Sequence, residues 1–272
     1  MNYRHAFHAG NFADCMKHAL LAWLLRAMMR KSTPLFVLDT HAGRGQYDLT
    51  DTPAQRTGEA ERGIQRLLRD PRPALFHYLD LVRSLGLYPG SPNLIRALLR
   101  PGDRLACCEL HPEDAEALRQ LFHRDEQVSV HRRDAWEALG ALLPPKEKRG
   151  LVLIDGPFEE PDEFTRLANG LIAGHRRFGN GVFVAWYPIK HRAPVRAFHT
   201  AMKDSGIRDI VAVELLLREP LDPGRLNGCG LLVINPPYQF EAGADALLEA
   251  LLPILGDREA GEALVVSRIS DE

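Results

Sequence analysis

The chain has 272 residues, of which 45% are hydrophobic and 26% are charged, and its formal net charge is −2. This composition is ordinary for a globular protein with a sizeable core, and it excludes a uniformly cationic protein. Any nucleic-acid partner must therefore be met by a local basic face.

Arginine dominates the basic residues. The chain has 34 lysines and arginines together, and only six of them are lysines. Arginine suits bidentate contact with phosphate and stacking on bases, although the codon bias of a GC-rich genome explains the choice equally well. Local basic clusters stand at 131–133, 175–177 and 190–192.

The four cysteines, Cys15, Cys107, Cys108 and Cys229, show no CxxC spacing. This pattern is typical of reduced thiols in a cytoplasmic protein and argues against a disulfide framework or a zinc site. The longest apolar run, 19–25, is too short to cross a bilayer and precedes no A-x-A cleavage motif. We therefore expect a cytoplasmic protein without a signal peptide or a bound metal.

Strand-like and helix-like segments alternate along the chain, which predicts an α/β protein with a mostly parallel sheet covered on both faces. The predicted elements, in chain order, are a helix at 13–30, a strand and glycine-rich turn at 34–45, a largely helical region at 53–100, a strand at 104–110, a helix at 111–122, a strand at 127–134, a helix at 135–143, a strand at 150–155, a helix at 162–178, a strand at 181–188, a helix near 193–205, strands at 209–217 and 229–238, and a helix at 241–254.

One interval breaks the regular spacing. From Gly45 to Glu109 the chain runs 64 residues, whereas a plain βαβ unit needs about 20 between a glycine turn and the following acid. We therefore predict a small helical subdomain at 50–100, inserted into a single domain that spans 1–272.

The turn after the first strand carries Asp39 and then Gly43-Arg-Gly45. Glycines at this point let a ligand approach the backbone N–H groups. The position of the third glycine of a dinucleotide fingerprint is occupied by Asp48, which weakens a dehydrogenase interpretation. The shorter pattern favours a site for S-adenosylmethionine (SAM), and a plain strand-to-helix turn is the alternative.

Acids stand at the ends of three successive strands: Glu109, Asp134 and Asp155. The carboxyl ends of parallel strands share one edge of the sheet, where ligands bind. A carboxylate after the second strand can accept both ribose hydroxyls of a nucleoside, and one after the third can meet an adenine amino group. Each acid taken singly is also a good helix cap.

The segment Asp155-Gly156-Pro157-Phe158 follows the strand that would face the SAM methyl group. A carboxylate and a backbone carbonyl can accept both hydrogens of an exocyclic amino group and aim its lone pair, while an aromatic ring stacks on an extruded base. A rival motif, Asn235-Pro-Pro-Tyr238, ends a strand that is expected to run antiparallel. Its tip would lie away from the cofactor, so we interpret it as structural.

Together these segments resemble one family, the RlmJ-type bacterial large-subunit ribosomal RNA adenine-N6 methyltransferases. The resemblance covers nearly the whole chain, and it is carried by YRHAFHAGNFADCMKH at 3–18, LDTHAGRGQY at 38–47, YPGSP at 88–92, ELHP at 109–112, LIDGPF at 153–158 and AWYPI at 185–189.

The resemblance implies a Rossmann-like SAM-dependent methyltransferase fold with a seven-stranded, mostly parallel sheet and an inserted helical subdomain. It implies SAM as cofactor, 23S ribosomal RNA as partner, a monomer and no metal. Asp155 is the implied catalytic residue, and Tyr3 and Phe158 are the implied substrate contacts. The implied SAM contacts are His18, His41, Ser91, Glu109, Asp134, Ala135 and Asp155.

Three residues, two of them in one motif, depart from the family pattern. The family has Asp-Pro-Pro-Tyr where this chain has Gly156 and Phe158, and a glycine is common where it has Ala135. These changes leave two alternatives open, a DNA adenine-N6 methyltransferase and a catalytically impaired nucleic-acid-binding relative. Lys17 and His18 could equally form a basic helix face, Tyr3 could be a packing residue, and 186–187 could be core or base pocket.

Overall fold

A mixed eight-stranded sheet forms the centre of the computed structural model, which describes residues 7–51 and 57–271. The strands are β1 Phe36–Asp39, β2 Gln46–Tyr47, β3 Tyr88–Pro89, β4 Arg104–Cys108, β5 Val128–His131, β6 Gly150–Ile154, β7 Val182–Ile189, β8 Ile210–Leu216, β9 Gly228–Ile234 and β10 Ala263–Ser270. The helices are α1 Phe12–Met28, α2 Glu59–Arg62, α3 Ile64–Arg69, α4 Phe76–Ser84, α5 Ser91–Leu98, α6 Pro112–Leu121, α7 Ala135–Leu142, α8 Glu163–Arg177, α9 Arg192–Asp204 and α10 Phe240–Leu255, with a 3₁₀ turn at Pro73–Leu75.

The strand order in the large sheet is β10-β8-β9-β7-β6-β1-β4-β5. Strands β5, β4, β1, β6 and β7 are parallel, and β9 runs antiparallel between β7 and β8. This is the mostly parallel Rossmann-like sheet that the sequence predicts, but it has eight strands rather than seven. The additional strand is β10, which pairs antiparallel with β8 at the edge.

The parallel strands β4, β1, β6 and β7 are buried on both faces, which explains why they are almost continuously apolar, whereas the edge strand β5 is only partly buried. Val37 and Leu38 of β1 point into different clusters, one under α1, α5, α6 and α10 and the other under α7, α8 and α9. Cys107 and Cys108 divide between the same two clusters, and all four cysteines are free and buried. None of the described helices is long and apolar enough to cross a membrane.

The long interval between β1 and β4 contains the helices α2 to α5 and the small antiparallel sheet formed by β2 and β3. A backbone hydrogen bond from Ile64 N–H to Gly10 O (2.9 Å) joins this segment to the start of α1. Helix α1 itself begins where the Asn11 side chain accepts the Asp14 N–H, as an N-cap does. The interval therefore packs against α1, on the face of the sheet that α1 covers.

Candidate functional site

The carboxyl ends of the five parallel strands border one large cavity of about 770 Å³. This volume lies within the range of about 300–1000 Å³ that is usual for ligand pockets. The strand register brings the tips together, because Asp39 of β1 lies beside Leu153 of β6 on one side and Cys107 of β4 on the other. The residues that follow these strands therefore converge on the same space.

The turn after β1 depends on two glycines with positive φ. Gly43 has φ +59°, and Gly45 has φ +83°. A Cβ on Gly45 would stand 2.6 Å from Leu121 Cδ2, and one on Gly43 would stand 2.4 Å from the Tyr47 hydroxyl. Any other residue at either position would be strained and would clash, so the backbone here is shaped for close approach.

Glu109 follows β4 and is held by this turn. Its Oε2 accepts the Gly43 N–H at 2.8 Å, and its Oε1 accepts the His111 N–H at 2.7 Å. Burial raises the pKa of Glu109, although these two backbone hydrogen bonds oppose the increase. The carboxylate is thus fixed in one orientation at the cavity wall.

Asp134 follows β5 and acts as the N-cap of α7, since its Oδ1 accepts the N–H groups of Trp136 and Glu137. The helix-cap interpretation of this acid is therefore correct, and Asp134 and Ala135 line the cavity as well. His41 also lines it, and burial lowers the pKa of His41 to about 4. This imidazole is neutral at pH 7, so that part of the wall carries no cation.

His18 and Ser91 lie on the side of the cavity formed by α1 and α5. Both are buried, and His18 Nδ1 lies 3.1 Å from the Tyr88 hydroxyl, which in turn lies 3.1 Å from the Tyr78 hydroxyl. The basic-helix-face alternative for His18 is wrong, because its ring is inside the molecule.

Lys17 is the main functional candidate that the sequence did not predict. For Lys17, as for His18, the sequence analysis considered a position on a basic helix face. Its side chain is only 5% exposed, and its ammonium donates to Asp14 Oδ1 at 2.8 Å and to Asp155 Oδ2 at 2.5 Å. Burial alone would lower the pKa of Lys17, but the charges and hydrogen bonds of Asp14 and Asp155 raise it well above its ordinary value. Lys17 therefore ties the tip of β6 to α1.

Asp155 follows β6 and contacts the cavity with a side chain that is 16% exposed. Among the described residues its Oδ2 is bound by Lys17, while Oδ1 accepts no hydrogen bond from the protein. Asp155 is not a helix cap, because the next helix begins only after Asp162. Of the three strand-end acids, Glu109 has both oxygens bound to backbone N–H groups and Asp134 caps α7, whereas Asp155 lies at the tip of β6 without a capping role.

An aromatic group borders the cavity just beyond Asp155. Phe158, which has φ +51°, packs edge-on against Phe164 and Trp186, with ring centroids 5.0 and 5.8 Å apart. Phe158 and Trp186 both line the cavity, whereas Tyr187 is fully buried in the sheet. Trp186 therefore lines the pocket, and Tyr187 belongs to the core.

Asp39, at the end of β1, is fully buried, and its Oδ2 has no hydrogen-bond partner in the described part of the chain. Burial raises the pKa of Asp39 to about 7; the nearby Ser91 hydroxyl lowers it and the charge of Asp155 raises it further. A group with this pKa beneath the cavity makes the site sensitive to pH.

A second polar cluster joins α1 to the inserted segment at the cavity mouth. Glu59 of α2 accepts from Asn11 Nδ2 at 2.9 Å and lies 3.0 Å from His8 Nδ1. The hydrogen bond to Glu59 raises the pKa of His8. Sequence reasoning missed this cluster, because nothing local links residues that are 48 and 51 positions apart.

The rival motif lies at the opposite edge of the sheet. Ile234, the last residue of β9, pairs with Phe183 near the start of β7. Asn235 has φ +53°, and its amide donates to the carbonyls of Gly179 and Gly181. The structural interpretation of this motif is therefore consistent with its position, and Tyr238 is 84% exposed.

The structure brings nearly all of the predicted site residues to one cavity. The residues found there are His18, His41, Ser91, Glu109, Asp134, Ala135, Asp155 and Phe158. Tyr3 lies outside the described residues. Within 7–51 and 57–271, no group of three His, Cys, Asp or Glu side chains is arranged to hold a metal ion.

Known proteins resemble this chain over almost its full length. A family model described as "Ribosomal RNA large subunit methyltransferase D, RlmJ" matches residues 32–268. Two proteins named ribosomal RNA large subunit methyltransferase J are similar: that of Escherichia coli K12 is 37% identical over 97% of this chain and 98% of its own length, and that of Haemophilus influenzae Rd is 36% identical over 94% of each. A crystal structure of a Legionella pneumophila protein superposes with a TM-score of 0.87 and 36% identity, covering 96% of this chain and 98% of that one. The chain therefore belongs to the RlmJ family of ribosomal RNA large subunit methyltransferases.

Proposed function

We propose that this protein transfers a methyl group from SAM to the exocyclic N6 amino group of an adenine in 23S ribosomal RNA. The observation that carries the proposal is the Asp155 carboxylate, held by Lys17 at the wall of a cavity that also contains Glu109 and the glycine turn. Membership of the RlmJ family supports the substrate class.

The residues of the cavity fit SAM. A carboxylate fixed by two backbone N–H groups, as Glu109 is, can accept the two hydroxyls of a ribose. The backbone at Gly43 allows close approach, and the neutral His41 ring adds no positive charge to repel a sulfonium. We assign the cofactor contacts to His18, His41, Ser91, Glu109, Asp134, Ala135 and Asp155.

SAM supplies an electrophilic methyl group on its sulfonium. The amino group of adenine is a weak nucleophile, because its lone pair is delocalised into the ring. Asp155 Oδ1 accepts one amino hydrogen and the carbonyl of the Asp155–Gly156 peptide accepts the other, which pulls the nitrogen toward tetrahedral geometry. SAM held in the cavity would give up its methyl group to N6 and leave as a neutral sulfide, and the surplus proton of N6 would pass to the Asp155 carboxylate.

Lys17 acts as a positioning residue. Because its ammonium binds only the Oδ2 atom of Asp155, the rotation of the carboxylate is fixed and Oδ1 is kept for the substrate. Asp14 holds the other side of the ammonium at 2.8 Å, so Lys17 cannot move toward the cofactor. Positioning by a charged hydrogen bond is the kind of support that a reacting group needs.

The adenine must leave its base stack to reach Asp155. Phe158 offers a ring for stacking at the cavity, with Trp186 packed edge-on behind it. We assign Phe158 and Tyr3 to the substrate base. We further propose a monomeric cytoplasmic enzyme, a single domain of residues 1–272 with a helical subdomain at 50–100.

Methyl transfer with labelled SAM tests the proposal. Deproteinised 23S rRNA, 16S rRNA and duplex DNA are offered side by side, and the products are digested to nucleosides. The expected result is N6-methyladenosine from 23S rRNA alone. Label in duplex DNA alone would make the protein a DNA methyltransferase, and SAM binding without turnover on any substrate would make it a catalytically impaired relative.

A further inference from the structure

The segment from Lys190 to Lys203 is the most one-sided in charge near the cavity. Its fourteen residues include four lysines and arginines and no acid, in a chain whose net charge is −2. It begins directly after β7 and continues through α9. The basic cluster at 190–192 that the sequence shows thus belongs to a longer basic surface.

Three of these cations are not paired with any acid in the described ranges, 7–51 and 57–271. Lys190, Arg196 and Lys203 are exposed, and none forms an ion pair with a carboxylate in the described part of the chain. The fourth, Arg192, is neutralised by the buried Glu214. The inserted segment behaves differently, since its arginines mostly pair with neighbouring acids: Arg66 with Asp257, Arg69 with Glu61, Arg72 with Asp70 and Arg83 with Asp80.

Two of these cations lie near the cavity. Lys190 lines it. Ile154 pairs with Ala185, so Asp155 lies level with Trp186, and Lys190 is four strand residues further on, or about 13 Å. Arg196 lies about 6 Å along α9 from Arg192, so it stays near the carboxyl edge of the sheet. Lys203 is at the other end of α9, which runs back toward the edge where β8 begins. An RNA chain whose base entered the cavity would have its backbone at the level of Lys190 and Arg196.

The turn that carries Lys190 is firmly held. Asn227 Nδ2 donates to Lys190 O at 2.9 Å, and Asn227 N–H donates to Ile189 O at 3.0 Å. Just after the turn, Arg192 donates to Glu214 at 2.5 Å, and Glu214 accepts a second bond from the Tyr187 hydroxyl. Because the backbone of Lys190 is already ordered, only its side chain loses freedom when it binds a ligand.

We propose that Lys190 and Arg196 bind the phosphates of the RNA that flanks the target adenine. The inference rests on the proposed function, because it identifies the surface that binds the RNA substrate of the Asp155 site. Phosphate contacts orient a nucleic acid and supply most of the salt-dependent affinity without reading sequence. This surface therefore sets the affinity for RNA, and the chemistry at Asp155 is separate from it.

The test is a double charge-neutralised variant, Lys190→Gln/Arg196→Gln. A matched control, Lys146→Gln/Lys148→Gln, removes the same charge from exposed lysines that precede β6, at the opposite edge of the sheet. Binding of a 23S rRNA transcript is measured by filter retention from 50 to 200 mM salt, and KM, kcat and SAM affinity are measured on the same proteins.

The slope of log affinity against log salt should fall by about 1.5 in the test variant, because each lost phosphate contact removes about 0.7–0.9. KM for RNA should rise at least tenfold, with kcat at saturating RNA and SAM affinity within twofold of wild type, and the control should match wild type. Equal slopes and equal KM in the two double variants, with an active wild type, would overturn the inference. A wild type that transfers no methyl group to rRNA would instead overturn the proposed function.

Discussion

Replacing Lys17 by Met removes the cation that joins α1 to the tip of β6. The ammonium lies 2.8 Å from Asp14 and 2.5 Å from Asp155, and the side chain is 5% exposed. Methionine has nearly the same helix propensity and length as lysine, so the helix and the packing are little changed. What remains is two carboxylates that share a buried site without a counter-charge.

The expected cost is about 3 to 5 kcal/mol of unfolding free energy, the range found when one partner of a buried ion pair is removed. Methyl transfer should also fall, since Asp155 loses the bond that fixes its rotation. Part of the stability should return in the double variant Asp14→Asn/Lys17→Met, because one of the two stranded charges is then gone.

Urea unfolding followed by circular dichroism at pH 7 measures the effect. The control is Arg26→Met, which removes an exposed cation from the same helix and should change stability by no more than about 0.5 kcal/mol. If Lys17→Met cost less than about 1 kcal/mol and left methyl transfer intact, Lys17 would not hold Asp155 as the structure indicates.

Three further outcomes are expected. Gly156→Pro should fold and keep kcat within about threefold of wild type. A Cβ at position 156 would lie 3.7 Å from His41 Nε2, which is an ordinary van der Waals contact. A large gain in rate would show instead that the natural site is impaired. Asp39→Asn should remove a decline in stability with rising pH. The pKa of Asp39 is about 7 in the folded state against an ordinary 3.8, so the wild type should lose about 2 kcal/mol of unfolding free energy between pH 5 and 7. The same decline in denaturant titrations of the variant would refute this. Asn235→Ala should lower stability by about 1–3 kcal/mol through two lost hydrogen bonds and a strained φ, yet keep full activity when assayed well below its melting temperature.

Much of the sheet is predictable from sequence, because buried parallel strands are continuous apolar runs and their tips carry the chemistry. Glu109 and Asp155 each follow such a run, while Asp134 follows the partly exposed edge strand β5, and a shared sheet edge brings the three acids to one cavity. The position of Asn235 was likewise predictable, since it depends only on β9 being antiparallel.

What sequence reasoning missed depends on contacts between distant residues. The partner of Lys17 is 138 positions away, and the only local sign was Asp14, three residues earlier in an apolar helix. Strand β10 has half-buried residues at a sheet edge, so its pattern lacks the continuous apolar character of the central strands. An acid three residues before a lysine, within an otherwise apolar helix, is therefore a sequence signal of a buried ion pair.

The central claim is that the Asp155 carboxylate meets the amino group of the target adenine. The most direct measurement is kcat for Asp155→Asn at saturating SAM and 23S rRNA, with Asn235→Ala alongside and urea unfolding to establish that both are folded. We expect kcat to fall about 100-fold or more in the Asp155 variant and to be unchanged in the Asn235 variant. An Asp155→Asn enzyme with kcat within threefold of wild type, or an inactive but folded Asn235→Ala, would contradict it.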